Sequence, residues 1–379
     1  MQDYMKDDRI DTEYISRAML EFEPDQVMQY PGITIAHDSY HVEIEAPELF
    51  VNNEARHRSG HMSHAMAQFA PGHVIAFHSN YTAEREYGHT QYGWVEYSIS
   101  SDNGRTWAKS QILPYSWDRF IDGDCYICVE KCVSRGDGCI TAFCLRNTNR
   151  SHWCCDPWDT PVVIRSEDGG KTWGEPVEYT PYKGRTYDAI VHNGDFYVLH
   201  SCHEVFLGKC PEDVYRLYRS ADNGLTFEEV SVVPIDPVRR AYGALLMDTE
   251  GRLHAFAYNE SAECDLDHAV SCDFGQTWEM LPPCHLAKRI RNPQIALIDG
   301  VYVCHGRGGD AGFVFYTSED CVHWDEGAFL QPERAGAFYS DNLHLTDEKG
   351  NFLLIQYSTP YQYARCNVAH TRLRVVRHK

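Results

Sequence analysis

The 379-residue sequence contains no run of 18 apolar residues, and its opening, MQDYMKDDRIDTEYISRAML, has no apolar core of signal-peptide length. A helix needs about 20 consecutive apolar residues to cross a bilayer. We therefore expect no membrane span and no secretion signal, and a cytoplasmic location. Positive charge is also scarce, with 34 Lys and Arg against 55 Asp and Glu and a net charge of −21. Proteins that bind nucleic acid neutralise phosphates with Lys and Arg, so nucleic acid is excluded as a partner. No low-complexity linker and no second domain interrupt the chain. Cysteine is not scarce, but the 15 residues are odd in number and scattered through strand-like contexts such as CYIC and VYVCHG. That pattern fits reduced thiols better than a disulfide framework. Cys125, Cys128 and Cys132 have a zinc-like spacing. Strand alternation sends neighbouring side chains to opposite faces, so no metal and no cofactor is expected.

One turn is written again and again. SSDNGRTW occupies 100–107, SEDGGKTW 166–173, SADNGLTF 220–227 and SCDFGQTW 271–278. A fifth copy, SEDCVHW at 318–324, lacks one residue and the glycine. The starts lie 66, 54, 51 and 47 residues apart, and a period of about 50 signals a repeat architecture. Asp followed by Asn-Gly or Gly-Gly makes a tight turn: glycine supplies a positive φ and the carboxylate accepts backbone N–H groups. The closing Trp or Phe buries about 200 Å² against a neighbour. Before each copy the residues alternate as a strand does, as in GWVEYSIS and YRLYRS. Aromatics at 13% suit a β-rich chain.

Each turn belongs to a longer unit. In the fourth, AYGALLMD is a strand, TEG a turn, RLHAFAYN a second strand, ESAECDLD a loop and HAVSCDFGQTW the third strand with its turn. Five such units precede a sixth, YSDNLHLTDEKGNFLLIQYS with NVAHTRLRVV, which has no turn copy. The fold class that follows is all-β, a six-bladed β-propeller of four-stranded antiparallel blades spanning 32–379. Residues 1–31 form an N-terminal extension, and a strand near 32–44 closes the last blade. Closure leaves no sheet edge to protect.

The Ser-x-Asp-x-Gly-x-Thr-Trp element resembles the Asp-box, or BNR repeat, of the sialidase (neuraminidase) superfamily. The six-unit count resembles that superfamily's catalytic domain over about residues 45–376. The resemblance implies a glycosidase that acts on a terminal anionic sugar, with the boxes on the face away from the active site. RAGAFYSDNLHL resembles the segment that carries the tyrosine nucleophile, which implies that role for Tyr339. VCHGRGGDAGFVFYTSED resembles the segment carrying an arginine for the substrate carboxylate, which implies that role for Arg307. Elsewhere the chain departs from the pattern. MSHAMAQF replaces the opening Phe/Tyr-Arg-Ile-Pro, with His64 near the arginine's place. Tyr242 stands where the tyrosine-activating glutamate belongs, and Tyr258 near the second arginine. Glu84 and Glu86 are the only acids in the first blade's loop, NYTAEREYGH.

In a propeller, the starts of the first strands and the ends of the second strands gather round one central mouth. Tyr339, Asp341, His64, Tyr242 and Asp188 are the candidate catalytic groups. Arg307, Arg240, Arg185, Arg146, His78, His203, Tyr258 and Asn292 are the candidate substrate contacts. Such a mouth in an acidic chain points to an anionic ligand, because guanidinium forks grip carboxylates bidentately. Three chemistries remain open. A glycosidase uses paired carboxylates or the Tyr339 nucleophile. A uronate lyase uses His and Tyr as base and acid, with Arg240 and Arg307 neutralising the carboxylate. A non-catalytic carbohydrate-binding propeller would stack aromatics on sugar faces. An exo-glycosidase of short oligosaccharides, either monomer or homodimer, is the reading adopted.

Overall fold

The computed structural model describes residues 30–81, 93–123, 125–147, 158–202, 214–308, 312–331, 338–362 and 365–378. They form six antiparallel sheets, five of them built from strands consecutive in the chain and the sixth from strands of both chain ends. Blades I to VI start on the innermost strands Met66–Ala70, Tyr126–Val133, Gly184–His192, Arg240–Met247, Ile290–Ile298 and Ser340–Asp347. These six strands neighbour one another in that order, and the sixth meets the first. The architecture is the all-β, six-bladed propeller that the repeats predict. Among the described residues no helix is long and apolar enough to cross a membrane.

Blade faces stack on blade faces, so the middle strands are covered on both sides. The second strand of blade II, ITAFCLRN, is buried at all but one of its positions for that reason. Blade VI closes with strands from both ends of the chain: Tyr40 pairs with Arg377 and Ile44 with Leu373. The segment 32–44, expected as one strand, is a hairpin of two, Ile33–Ala36 and Tyr40–Ile44. The polar triplet His37–Ser39 breaks the run, and the His37 N–H closes the turn on the Tyr40 carbonyl at 2.9 Å.

The repeated turns tie blades I to IV each to the one before it. In blade I, Ser100 Oγ donates to Asp102 Oδ1 at 2.7 Å and accepts the Gly104 N–H at 2.8 Å. The other end of the Asp102 carboxylate takes the Thr106 hydroxyl at 2.6 Å. Blades II to IV repeat this on Asp168, Asp222 and Asp273. In the shortened fifth copy His323 Nδ1 replaces the threonine hydroxyl on Asp320, at 2.6 Å. The hydrogen bond from the Thr172 hydroxyl, followed by that from its backbone N–H, pulls the Asp168 carboxyl down to about 2. The turn then hands its aromatic to the preceding blade. Trp107 packs on Phe50 and His370 of blade VI, Trp173 on Phe77 and Tyr97 of blade I, and Phe227 on Phe143 of blade II. Trp278 donates its indole N–H to Ser231 of blade III at 2.9 Å.

The axis is plugged. The Lys131 ammonium, from blade II, meets Asp341 at 2.7 Å, Asp188 at 3.2 Å and the amide oxygen of Gln294. Burial on its own would favour loss of the proton, but the Asp188 and Asp341 carboxylates outweigh it and the ammonium pKa is raised. The carboxylates also bridge blades through the backbone. Asp188 accepts the Leu245 N–H at 2.7 Å, and Asp341 accepts the Met66 N–H at 3.0 Å. Four side chains thus join blades II, III, V and VI directly and reach IV and I through the backbone. The plug separates a cavity of about 500 Å³ from a wider one of about 1100 Å³ at the opposite end.

Two stability predictions follow from these contacts. At Gly275, φ is +88° and an added Cβ would lie 2.0 Å from Leu217 of the preceding blade, whereas at Gly251, with φ +78°, it would meet nothing within 4 Å. Gly275→Ala is expected to lower stability by about 3 kcal/mol and Gly251→Ala by about 1 kcal/mol, read by urea denaturation. Lys131→Met leaves two buried carboxylates without a countercharge and is expected to destabilise by about 3–5 kcal/mol at neutral pH. In that variant the loss shrinks as pH is lowered, because a carboxylate that is neutral when buried takes up a proton on folding; a loss that does not vary with pH contradicts this.

Candidate active site

Four consecutive blades carry the same irregularity. The innermost strand slips against the second strand between Val129 and Lys131, Thr186 and Asp188, Ala241 and Gly243, and Arg291 and Gln294. A bulge leaves a residue out of the ladder and re-aims its side chain. The residues left out include Glu130, Tyr187, Tyr242 and Asn292, and all four line the 500 Å³ cavity. His64, from the segment before blade I, and Tyr339, from the segment before blade VI, complete its wall. Two of the bulged residues have left-handed backbone, Tyr242 at φ 48° and Asn292 at φ 50°.

This construction sorts the candidates. Asp188 and Asp341, expected as catalytic carboxylates, sit one layer lower in the plug, engaged with Lys131. The bulge at Tyr187 accounts for the shift: one extra residue turns Tyr187 into the cavity and Asp188 to the side of the plug. Of the four expected arginines, three are already paired. Arg185 is buried against Glu130, with Nε to Oε1 at 2.6 Å. Arg240 is tied to Asp267 of its own blade. Arg146 binds Asp159 at 3.0 Å and Glu178 at 3.1 Å, the latter in the outermost strand of blade II. Arg307 is the exception. Half-buried, with no carboxylate partner among the described residues, its guanidinium lies 5.6 Å from the centre of the Tyr339 ring.

Tyr339 and Tyr242 form a pair, with hydroxyl oxygens 3.1 Å apart. The Tyr242 pKa is raised well above its ordinary value, first by burial and then by Tyr339. Tyr242 therefore stays protonated at neutral pH. Each ring has an arginine near it: Arg307 by Tyr339, and Arg185 at 6.0 Å from Tyr242. The Glu130 carboxylate neutralises Arg185, so the uncompensated cation is on the Tyr339 side. The His61 ring meets Tyr339 edge-on at a centroid distance of 4.6 Å. His64 Nε2 lies 3.1 Å from the His61 carbonyl oxygen, and burial lowers the His64 pKa to about 3, which leaves a neutral imidazole in the wall.

The remaining candidates lie elsewhere. His78 is buried behind the wall in blade I, between Phe50 and Glu96, with its pKa lowered by burial to about 4. Tyr258 stands behind Tyr242, at 6.0 Å between ring centres, and donates to Glu263. His203, Glu84 and Glu86 fall outside the described residues. Cys128 lines the upper cavity and Cys132 the lower. Sequence reading missed Glu130 and Lys131; the signal was the Glu-Lys pair inside the apolar strand YICVEKCV.

No family model matches the chain, and no curated protein matches it. Solved structures do. A Hadza microbial sialidase superposes with a TM-score of 0.64 at 13% identity, over 88% of this chain and 68% of its own. A protein of unknown function from Dyadobacter fermentans gives 0.62 at 15%, over 93% and 100%. Trypanosoma rangeli sialidase, solved as a covalent intermediate with 2,3-difluorosialic acid, gives 0.57 at 14%, over 86% and 56%, so this chain spans little more than half its length. Together with the six blades and their repeated turns, these likenesses identify the fold as the sialidase-like six-bladed β-propeller.

Proposed function

We propose that the chain is a glycoside hydrolase that removes a terminal anionic sugar from short oligosaccharides. The observation that carries this reading is Arg307, without a carboxylate partner among the described residues, beside Tyr339, whose hydroxyl meets Tyr242 at 3.1 Å. Arg307 holds the acidic group of the sugar. Tyr339 passes its proton to His61 and attacks the anomeric carbon, while Tyr242 donates a hydrogen bond to the Tyr339 oxygen. The bond to the leaving oxygen breaks as that oxygen takes a proton from Glu84 or Glu86. Water then attacks the anomeric carbon, returns the proton to the acid, and frees Tyr339 to recover its own.

A second reading, β-elimination from a uronate, is favoured by one observation: the cavity wall carries an imidazole, His64, whose Nδ1 has no hydrogen-bond partner among the described residues, and a phenol that stays protonated, Tyr242. These are the base and acid an elimination needs. A 4-methylumbelliferyl sialoside and a panel of uronate oligosaccharides separate the two. Free fluorophore marks hydrolysis, and the ultraviolet absorbance of an unsaturated uronate marks elimination. Tight binding of these sugars with neither signal marks a non-catalytic propeller. On the substrate that is cleaved, Tyr339→Phe is expected to lower kcat/KM by about a thousandfold and Arg307→Met by about a hundredfold. Arg146→Met, tied off at the outer strand, is expected to change it by less than about twofold. Turnover that survives Tyr339→Phe removes the nucleophile.

A further inference from the structure

Asn292 and Gln294 are two residues apart on the innermost strand of blade V, and the fold treats them oppositely. Both polar ends of Gln294 are used: Oε1 takes the Lys131 ammonium, and Nε2 donates to the Pro293 carbonyl at 3.0 Å. Asn292 has neither end used. It is 4% exposed, it lines the cavity, and neither Oδ1 nor Nδ2 has a hydrogen-bond partner among the described residues. Its backbone is also held at φ 50°, a left-handed conformation that asparagine tolerates and glycine adopts most easily. A buried amide left unpaired lowers stability, so this side chain lowers the stability of the folded chain.

The chemistry of the missing partner is restricted. A carboxamide edge offers one donor and one acceptor side by side. A carboxylate satisfies the donor alone, and a cation the acceptor alone. A trans acetamido group presents its N–H and C=O on opposite edges. Two neighbouring hydroxyls satisfy both, one accepting from Nδ2 and the other donating to Oδ1. We infer that Asn292 is kept unpaired to read a vicinal diol on the sugar whose acidic group Arg307 holds. Arg307 then selects for charge and Asn292 for hydroxyl pattern. This rests on the cleavage reading for its kinetic readout, though not for its binding readout.

The test is Asn292→Gly, which deletes the amide and leaves a residue that accepts this backbone without crowding. The Tm is expected to equal or exceed that of the wild type. On the glycoside that the wild type cleaves, KM is expected to rise about tenfold or more with kcat nearly unchanged, the mark of binding shared by ground and transition states. Binding is read separately by thermal shift with N-acetylneuraminate, D-glucuronate and D-galacturonate, and with the monodeoxy analogues of whichever binds. The wild type is expected to be stabilised by the parent acid and not by the analogue lacking one hydroxyl of the pair, and Asn292→Gly to respond to both alike. A lower Tm in Asn292→Gly, equal wild-type responses to parent and deoxy acids, or no response to any of the three acids overturns the inference. If the acids bind and no glycoside is cleaved, the hydrolase reading falls and the diol reading is decided by the thermal shifts.

Discussion

A blade of this chain buries both faces only because another blade lies on each side of it, and the Ser–Asp turn fastens those neighbours together. Its carboxylate is saturated from within: the serine hydroxyl, the threonine hydroxyl and backbone N–H groups converge on Asp102 and on its equivalents. That local closure makes a rigid corner, which sets an aromatic against the preceding sheet. The glycine of the turn is pressed there as well, against Leu354 at Gly104, Thr141 at Gly224 and Leu217 at Gly275. Much of the ring is therefore assembled from pairwise contacts specified by one short stretch of sequence, blade VI, which has no copy, being the exception.

At the axis the same problem is solved with charge. Six innermost strands cannot fill their own centre with apolar side chains, and Lys131 occupies it with Asp188, Asp341 and Gln294. Above this layer the bulges of blades II to V turn a residue each upward. The cavity wall and the plug are thus successive levels of the same strands. Arg307, with no carboxylate partner among the described residues, lies against the Tyr339 ring of that wall, while Arg185 has Glu130 beside it.

How much of this was legible follows from which interactions are local. The turns were, because every bond in them lies within five residues of chain; even the shortened fifth copy works, with a histidine in the threonine's place. The blade count followed from the turns. The contents of the mouth were legible only in part. Counting by strand parity assumes one residue per step, and a bulge adds one, which is why Asp188 was placed a level too high. Counting arginines gave four where one is unpaired, since the partners Glu130, Asp267 and Asp159 are brought in by the fold. Tyr339 and Arg307 are marked by the likeness of their segments to a family pattern, and by no rule of local propensity.

The division between wall and plug has a consequence for descent. The fastenings that hold the ring lie chiefly in the outer turns and the buried ionic layer, so a blade can exchange a cavity residue such as Tyr242 or Asn292 without loosening its neighbours. A lineage built this way is free to trade guanidinium for imidazole or carboxylate for phenol, one blade at a time, and to drift from substrate to substrate while its architecture stays put.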